Sequence, residues 1–216
     1  MAEAIADQKD RTKGAARAKL VLRNATHGDI PAIRALTARA YAALGSDGAY
    51  SEAQLRGHQH HFPEGQFVAV YEDVIVGYCA TFRISEDLAL KPHDWETITG
   101  RGYASRHDPA GEYLYGMEVC VDPQYRGLRI GQRLYNARKQ LCQRLHLKGI
   151  VFGGRLPGLN RRWTQVGSPE RYVELVREGR LRDPVMNFQL RNGFEPVGLL
   201  RGYLGSDHES RGYATH

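Results

Sequence analysis

Thirteen consecutive residues near the middle of the chain, Val119 to Gly131, constrain its fold more than any others. Tyr113–Val121 (YLYGMEVCV) is rich in β-forming residues, and Asp122-Pro123 stops it. From Arg129 an amphipathic helix runs to about Leu145. Its inward stripe is Ile130, Leu134, Ala137, Leu141 and Leu145. Its wet face is Gln132, Arg133, Asn136, Lys139, Gln140, Gln143 and Arg144. Ile150–Gly153 follows as a strand, so the unit is strand, glycine-containing turn, helix, strand. Such a unit favours a parallel or splayed pair with a right-handed crossover.

The first backbone N–H groups of a helix have no internal partner, and the helix dipole adds positive potential at the same end. A strand that delivers the chain into that end through glycines is a cradle for a pyrophosphate. Gly127 and Gly131 let phosphate oxygens approach the backbone, and Arg126, Arg129 and Arg133 add cationic donors. The segment is neither a Walker loop nor a dinucleotide fingerprint, because Gly-Lys-Ser/Thr and Gly-x-Gly-x-x-Gly are both missing. Taken alone, it also fits an arginine-decorated helix start that holds no ligand.

The rest of the 216 residues reads as one mixed α/β domain in the order β-α-α-β-β-β-α-β-α-α-β-β. Lys19–Asn24 is a strand, and Asp29 is placed to cap a helix with Pro31 in its first turn and Gly45–Gly48 beyond its end. Ser51–His61 is a second helix with Gly57 inside it. Gln66–Tyr71 and Val74–Ile84 form a hairpin through Glu72-Asp73. Ser168-Pro169 and Asp183-Pro184 begin two later helices, and Glu195–Tyr203 and Gly212–His216 are the last strands. The stretches 85–112 and 154–182 are long for connections, and such connections are often functional.

No apolar run approaches the ~20 residues of a membrane span, and the N-terminus lacks a signal peptide's apolar core. The three cysteines lie far apart, which gives neither a disulfide framework nor a zinc site and fits a reducing cytoplasm. The net charge of +6 permits an anionic partner. Much of the excess sits in the first stretch (Lys9, Arg11, Lys13, Arg17, Lys19, Arg23), and residues 1–18 read as a flexible basic tail preceding a domain at 19–216. No aromatics interleave with those charges, so nucleic acid is not the partner expected.

Val-x-Pro-x-Tyr-Arg-Gly-x-x-Ile-Gly, set between a strand and a long helix, resembles the acetyl-CoA motif of GNAT N-acetyltransferases. More narrowly, FPEGQFVA at 62–69, YLYGMEVCVDP at 113–123, YRGLRIGQRLYNARK at 125–139, KGIVFGGRLPG at 148–158 and DPVMNFQLRNGF at 183–194 resemble the GNAT module that precedes a carbon–nitrogen hydrolase (nitrilase-like) domain in two-part proteins. The resemblance covers about residues 20–216. It implies a mixed central sheet of about six to seven strands with splayed central parallel strands and flanking helices. It implies acetyl-CoA as cosubstrate and a small-molecule or peptide amine as acceptor, without a metal. A homodimer and, in a longer relative, a hydrolase domain are the further partners it allows. The backbone amides of Arg126, Gly127, Leu128, Arg129, Ile130 and Gly131 would hold the pyrophosphate. Val119, Cys120 and Val121 form the strand whose backbone would pair with the pantetheine arm. Arg129 stands where the family pattern has a glycine. Gln189 stands where many members carry a tyrosine that protonates the leaving thiolate, and an amide supplies no proton at neutral pH.

Amine acetylation needs a base, an oxyanion donor and a proton path. Glu118 is the first candidate base, although it also fits a strand carboxylate paired with an arginine, and Glu112 is the second; the Val119 amide is the oxyanion donor by resemblance, and Tyr203 and Tyr115 are candidates among twelve tyrosines to replace the missing acid. Gln189 also leaves open an acyl-CoA-binding sensor with little turnover. His58, His60 and His61 read as solvated helix residues. Trp95 and Trp163 each either line a substrate mouth or pin an insertion.

Overall fold

The computed structural model describes residues 20–42 and 49–216. The expected basic tail and the Gly45–Gly48 stop lie outside the described residues. Strands β1 (Leu20–Asn24), β2 (Gln66–Tyr71), β3 (Val74–Ile84), β4 (Tyr113–Val121) and β5 (Gly149–Val151) form a five-stranded sheet in sequential order. The first four are antiparallel, and β5 joins β4 in parallel. The β2–β3 hairpin turns on Glu72 and Asp73, both left-handed with φ of 48° and 63°, as a two-residue hairpin loop requires.

Helices cover both faces. Gly77 and Tyr78 are neighbours on β3, so they point to opposite sides of the sheet. A Cβ on Gly77 would lie 2.7 Å from Ile130 of α5 (Ile130–Arg144), whereas the Tyr78 hydroxyl meets His58 of α2 (Glu52–His61) at 2.8 Å. The glycine is what lets the start of α5 settle onto the strand. Helix α1 (Ile30–Ala40) packs on β3 and β4 through Ile33 and Leu36, both buried. Its cap differs from expectation. Asp29 turns its carboxylate to the N–H and hydroxyl of Thr26, each at 2.8 Å, and to Arg23, so it anchors the turn before the helix. Helix α2 is capped by Ser51, whose Oγ accepts from the Gln54 N–H. Gly57 is needed because a Cβ there would stand 2.7 Å from the Tyr103 carbonyl.

The 85–112 insertion carries two short helices, α3 (Glu86–Leu90) and α4 (Trp95–Thr99). The 154–182 insertion begins with β6 (Gly154–Arg155) and continues through α6 (Trp163–Val166) and α7 (Pro169–Arg177). Its own apolar cluster, including Leu156, Leu159, Tyr172 and Val176, closes on Met186 of α8 (Pro184–Arg191). Asp183 caps α8 by accepting from the Val185 and Met186 amides at 3.0 and 2.9 Å.

The late strands are shorter than the sequence suggests. Only β7 (Leu199–Leu200) and β8 (Ala214–Thr215) are regular, and with β6 they make a separate sheet in the order β6-β8-β7. Pro196 removes a ladder donor, and Gly198 and Gly202 weaken the extended run around it.

Candidate functional site

The sheet opens at its centre. β5 pairs with β4 only through Tyr113, Leu114 and Tyr115, so the edge of β4 from Gly116 to Val121 has no strand beside it among the described residues. On its other edge β4 pairs with β3, except at Met117, where the register slips: Ala80 faces Glu118, but Thr81 faces Gly116. That bulge bends β4 and re-aims the residues after it. Glu118, Val119, Cys120 and Val121 thus lie along the open edge, with the buried Cys120 thiol turned into protein.

At the end of that edge, Asp122 accepts from Gln124 N–H at 3.0 Å and pairs with Arg39, and the chain turns through Arg126, Gly127 and Leu128, all exposed. Gly127 has φ +93°, and a Cβ placed on it would meet nothing within 4 Å, so the turn is open to solvent. Arg129 is left-handed at φ 57°, which explains the family's glycine at that position. Ile130 and Gly131 form the first turn of α5, whose start has no side-chain cap. Its leading amides are therefore free for an external acceptor. The 15-residue length of α5 gives its dipole full effect there.

Near the bulge, a carboxylate sits among phenols. Tyr41, just after α1, donates to Glu118 Oε1. Tyr50 is buried beside them, with no hydrogen-bond partner for its hydroxyl among the described residues. Burial pushes the Glu118 carboxyl up to about 7, against the opposing Tyr41 hydrogen bond and the Arg138 charge. Burial likewise raises the Tyr41 and Tyr50 phenols, so both stay protonated donors at neutral pH. A group that changes charge near pH 7 beside an open strand edge is suited to accept a proton.

Tyr203 arrives from the loop after β7. Its hydroxyl lies 3.0 Å from that of Tyr115, which lies 2.9 Å from His93 Nε2. Burial sends the Tyr203 phenol up to about 12. The Tyr203 carbonyl accepts from the Trp95 amide at 2.8 Å, stitching the 85–112 insertion to the C-terminal loop. Trp95 faces Tyr50 with ring centroids 6.3 Å apart, so it belongs to this wall. Trp163 instead stacks under Arg211 at 4.2 Å and pins its insertion.

Several expected residues lie elsewhere. Glu112 is half-buried at the opposite end of β4, where it accepts from the Glu86 amide at 3.0 Å and faces Lys148. The Glu86 amide holds its carboxyl below the usual range, which is a cap and not a base. His58 is fully buried, not solvated. It meets Tyr78 at 2.8 Å and the Gly102 carbonyl at 2.7 Å, and burial lowers it to about 4. Gln189 is buried with its amide against Gly154, where a Cβ would fall 2.4 Å from Oε1. Sequence reasoning missed Tyr50, His93 and Arg138 as parts of this region. An arginine at 138, one turn beyond Leu134 and beside the inward Ala137, was the available signal for the last.

The Acetyltransferase (GNAT) family model matches residues 30–162, well over half the chain and including the open strand and the helix start. The chain belongs to the GNAT acetyltransferase family. Among curated proteins it is 41% identical over 197 residues to the probable hydrolase YhcX of Bacillus subtilis, spanning 91% of this chain but only 38% of YhcX. It is 34% identical to the uncharacterized N-acetyltransferase YkwB of the same organism, covering 91% of this chain and 86% of YkwB. Among solved structures it resembles the GphF GNAT-like decarboxylase in complex with isobutyryl-CoA, with a TM-score of 0.73 at 27% identity over 90% of this chain and 96% of that one. The loading GNATL domain of CurA from Lyngbya majuscula shares the fold, with a TM-score of 0.73 at 22% identity over 91% and 95% of the two chains. Among the described residues no helix is long and apolar enough to cross a membrane.

Proposed function

We propose that this GNAT protein is an N-acetyltransferase that binds acetyl-CoA along the open edge of β4 and passes the acetyl group to a primary amine by direct attack. The observation that carries the reading is the unpaired edge from Gly116 to Val121 running into the uncapped start of α5. A diphosphate fits the free amides of Arg126 to Gly131, Gly127 leaves the approach open, and the exposed Arg126 and Arg129 supply charge. Val119 and Val121 offer backbone groups to an extended amide-bearing arm, as an added strand would use them. The solved GphF relative, described with isobutyryl-CoA, supports an acyl-CoA in this fold.

The coenzyme supplies an activated acyl thioester. The acceptor enters as the neutral amine, and Glu118, raised to about 7 and so ionised at slightly alkaline pH, takes its proton as it attacks. The Val119 amide stabilises the oxyanion. Tyr41 holds Glu118 in place. Tyr203, linked to Tyr115 and His93, is the proton donor that Gln189 cannot be. The acceptor enters between Tyr50, Trp95 and Tyr203, a wall made by the 85–112 insertion and the C-terminal loop.

The second reading, an acyl-CoA-binding module with little turnover, is favoured by the buried Gln189. YhcX, of which this chain spans 38%, is named a probable hydrolase, which supports the proposal that longer relatives join this domain to a hydrolase. Calorimetric titration with acetyl-CoA, using an Arg126→Glu/Arg129→Glu double variant as control, tests the coenzyme site. Micromolar binding lost in the variant is expected. A folded wild type that binds neither acetyl-CoA nor CoA would remove the reading. Release of CO₂ from a carboxyacyl-CoA, with no amine acetylation, would replace it with the reaction named for the GphF relative.

A further inference from the structure

Arg138 is only 2% exposed and is the largest of the fully buried side chains among the described residues. It projects from α5 into the bulge of β4, and Gly116 makes the room: a Cβ there would lie 2.6 Å from Arg138 Nη1. Nη2 donates to the Glu118 carbonyl at 2.7 Å and to the Ala80 carbonyl at 3.4 Å, and it touches Cys79 Sγ at 3.2 Å. All three acceptors are neutral. Nε is buried with no partner among the described residues. A buried guanidinium without a hydrogen-bonded carboxylate is expensive, and an apolar side chain of similar volume would stabilise such a place better. The Glu118 carboxyl and the Tyr135 ring, whose centroid is 5.3 Å away, offset part of the charge, but neither explains why its hydrogen bonds go to backbone carbonyls.

Its shortest contact supplies an explanation. The Glu118 carbonyl and the Val119 N–H belong to one peptide group. In a planar trans peptide they point in opposite directions. Arg138 reaches the carbonyl from the side of Cys79 and Ala80 on β3, so the Val119 N–H faces away from β3, toward the open side of β4, where it also lies within reach of the Glu118 carboxyl. A cation on the oxygen of an amide draws electron density from its nitrogen and makes its N–H a stronger donor.

We propose that Arg138 is a positioning residue for acyl transfer, which holds the bulged Glu118–Val119 peptide with its N–H toward the cleft and polarises that N–H into a stronger oxyanion donor. The inference rests on the reading of the open β4 edge as the acyl-CoA site. As the amine nitrogen bonds to the thioester carbon, the carbonyl π electrons move onto oxygen, where the Val119 N–H meets them. The amine's proton passes to Glu118. The C–S bond then breaks, its electron pair leaves on sulfur, which takes a proton from Tyr203, and the carbonyl re-forms. A stronger donor at Val119 lowers the cost of the charged intermediate in a site where position 189 offers no acid.

The test compares Arg138→Gln, which keeps an N–H donor and loses the charge, with Arg138→Lys, which keeps the charge and cannot span both carbonyls. In folded proteins whose acetyl-CoA affinity stays within about threefold of wild type, Arg138→Gln lowers kcat by about 10-fold or more at unchanged KM for acetyl-CoA, and Arg138→Lys falls between. The ¹H and ¹⁵N resonances of the Val119 amide move upfield in Arg138→Gln. That second readout needs no turnover: a wild type that acetylates no amine defeats the functional reading, while the Val119 resonance still decides the role of Arg138. A Val119 resonance unmoved in folded Arg138→Gln overturns the proposal, and so does a kcat within twofold of wild type. Should Arg138→Gln not fold, Arg138→Lys carries the same test, with a smaller upfield shift expected and an unmoved resonance overturning it.

Discussion

Replacing Arg129 by glycine should make the protein more stable and its coenzyme affinity weaker at once. Arg129 holds φ 57° and ψ 25°, in the left-handed region, immediately before α5. A residue with a Cβ loses about 1–2 kcal/mol in that conformation. Glycine adopts it freely, but its more flexible unfolded chain returns about 0.5–1 kcal/mol of that gain. Taken at the midpoints, the difference is about 0.75 kcal/mol in favour of Arg129→Gly. For a chain of this size about 2–4 °C accompanies each kcal/mol, so the melting temperature rises by about 1.5–3 °C. The exposed guanidinium is lost in the same change, and with it the charge-assisted contact proposed to a coenzyme phosphate. Losing about 1 kcal/mol there weakens acetyl-CoA binding by about fivefold. Thermal denaturation of the apo protein and calorimetry with acetyl-CoA read the two effects separately. An unchanged or lower melting temperature would refute the strain argument. An unchanged Kd would refute the contact between Arg129 and phosphate.

Glu118→Gln should flatten the pH profile of any transfer activity, because in the wild type the rate rises with pH as a carboxyl near 7 ionises, and a profile that keeps its rise would assign the base elsewhere. Stability follows the opposite sign. The folded protein keeps a proton that the unfolded chain, with its ordinary value of 4.5, gives up, so this contribution is present below about pH 4.5 and lost as pH climbs through about 7. Urea denaturation across that range should show the loss in wild type and not in Glu118→Gln. His58 titrates with the other sign: folding lowers it to about 4, so its contribution is present above 6.5 and lost as pH falls through about 4. His58→Ala should cost about 2–4 kcal/mol, since it opens a cavity and leaves the Gly102 carbonyl without its donor. Hydrogen exchange should then quicken first in the 85–112 insertion, and uniform quickening would deny His58 that local role.

The hairpin at 66–84, the strand at 113–121 and the helix from 130 were legible in the sequence because each rests on local information: alternation, a proline stop and a helical stripe. The glycine turn proposed to hold the coenzyme diphosphate was legible for the same reason. The wall proposed to be catalytic was not, because it is assembled by long-range contacts. Tyr41 and Glu118 are 77 residues apart, and Tyr115 and Tyr203 are 88 apart. Nothing in a set of twelve tyrosines says which will meet the carboxylate. Glu112 read as well as Glu118 because both stand on one strand; only the splay shows that the opening lies at the Glu118 end. Arg138 was hidden by its type, since a helix arginine is ordinarily solvated and only the bulge at Met117 gives this one a place inside. The late strands were overextended because β-forming side chains at 197–200 outweighed Pro196 in a local reading.

Amine-dependent release of CoA thiol from acetyl-CoA, with the acetylated amine identified by mass, is the most direct measurement. It is made across a panel of small and peptide amines, for wild type and Glu118→Gln side by side. The account predicts thiol release that requires an amine, gains speed as pH rises through about 7, and falls sharply in Glu118→Gln. Tight acetyl-CoA binding with no thiol released for any amine would contradict it and leave a coenzyme-binding module in place of an enzyme.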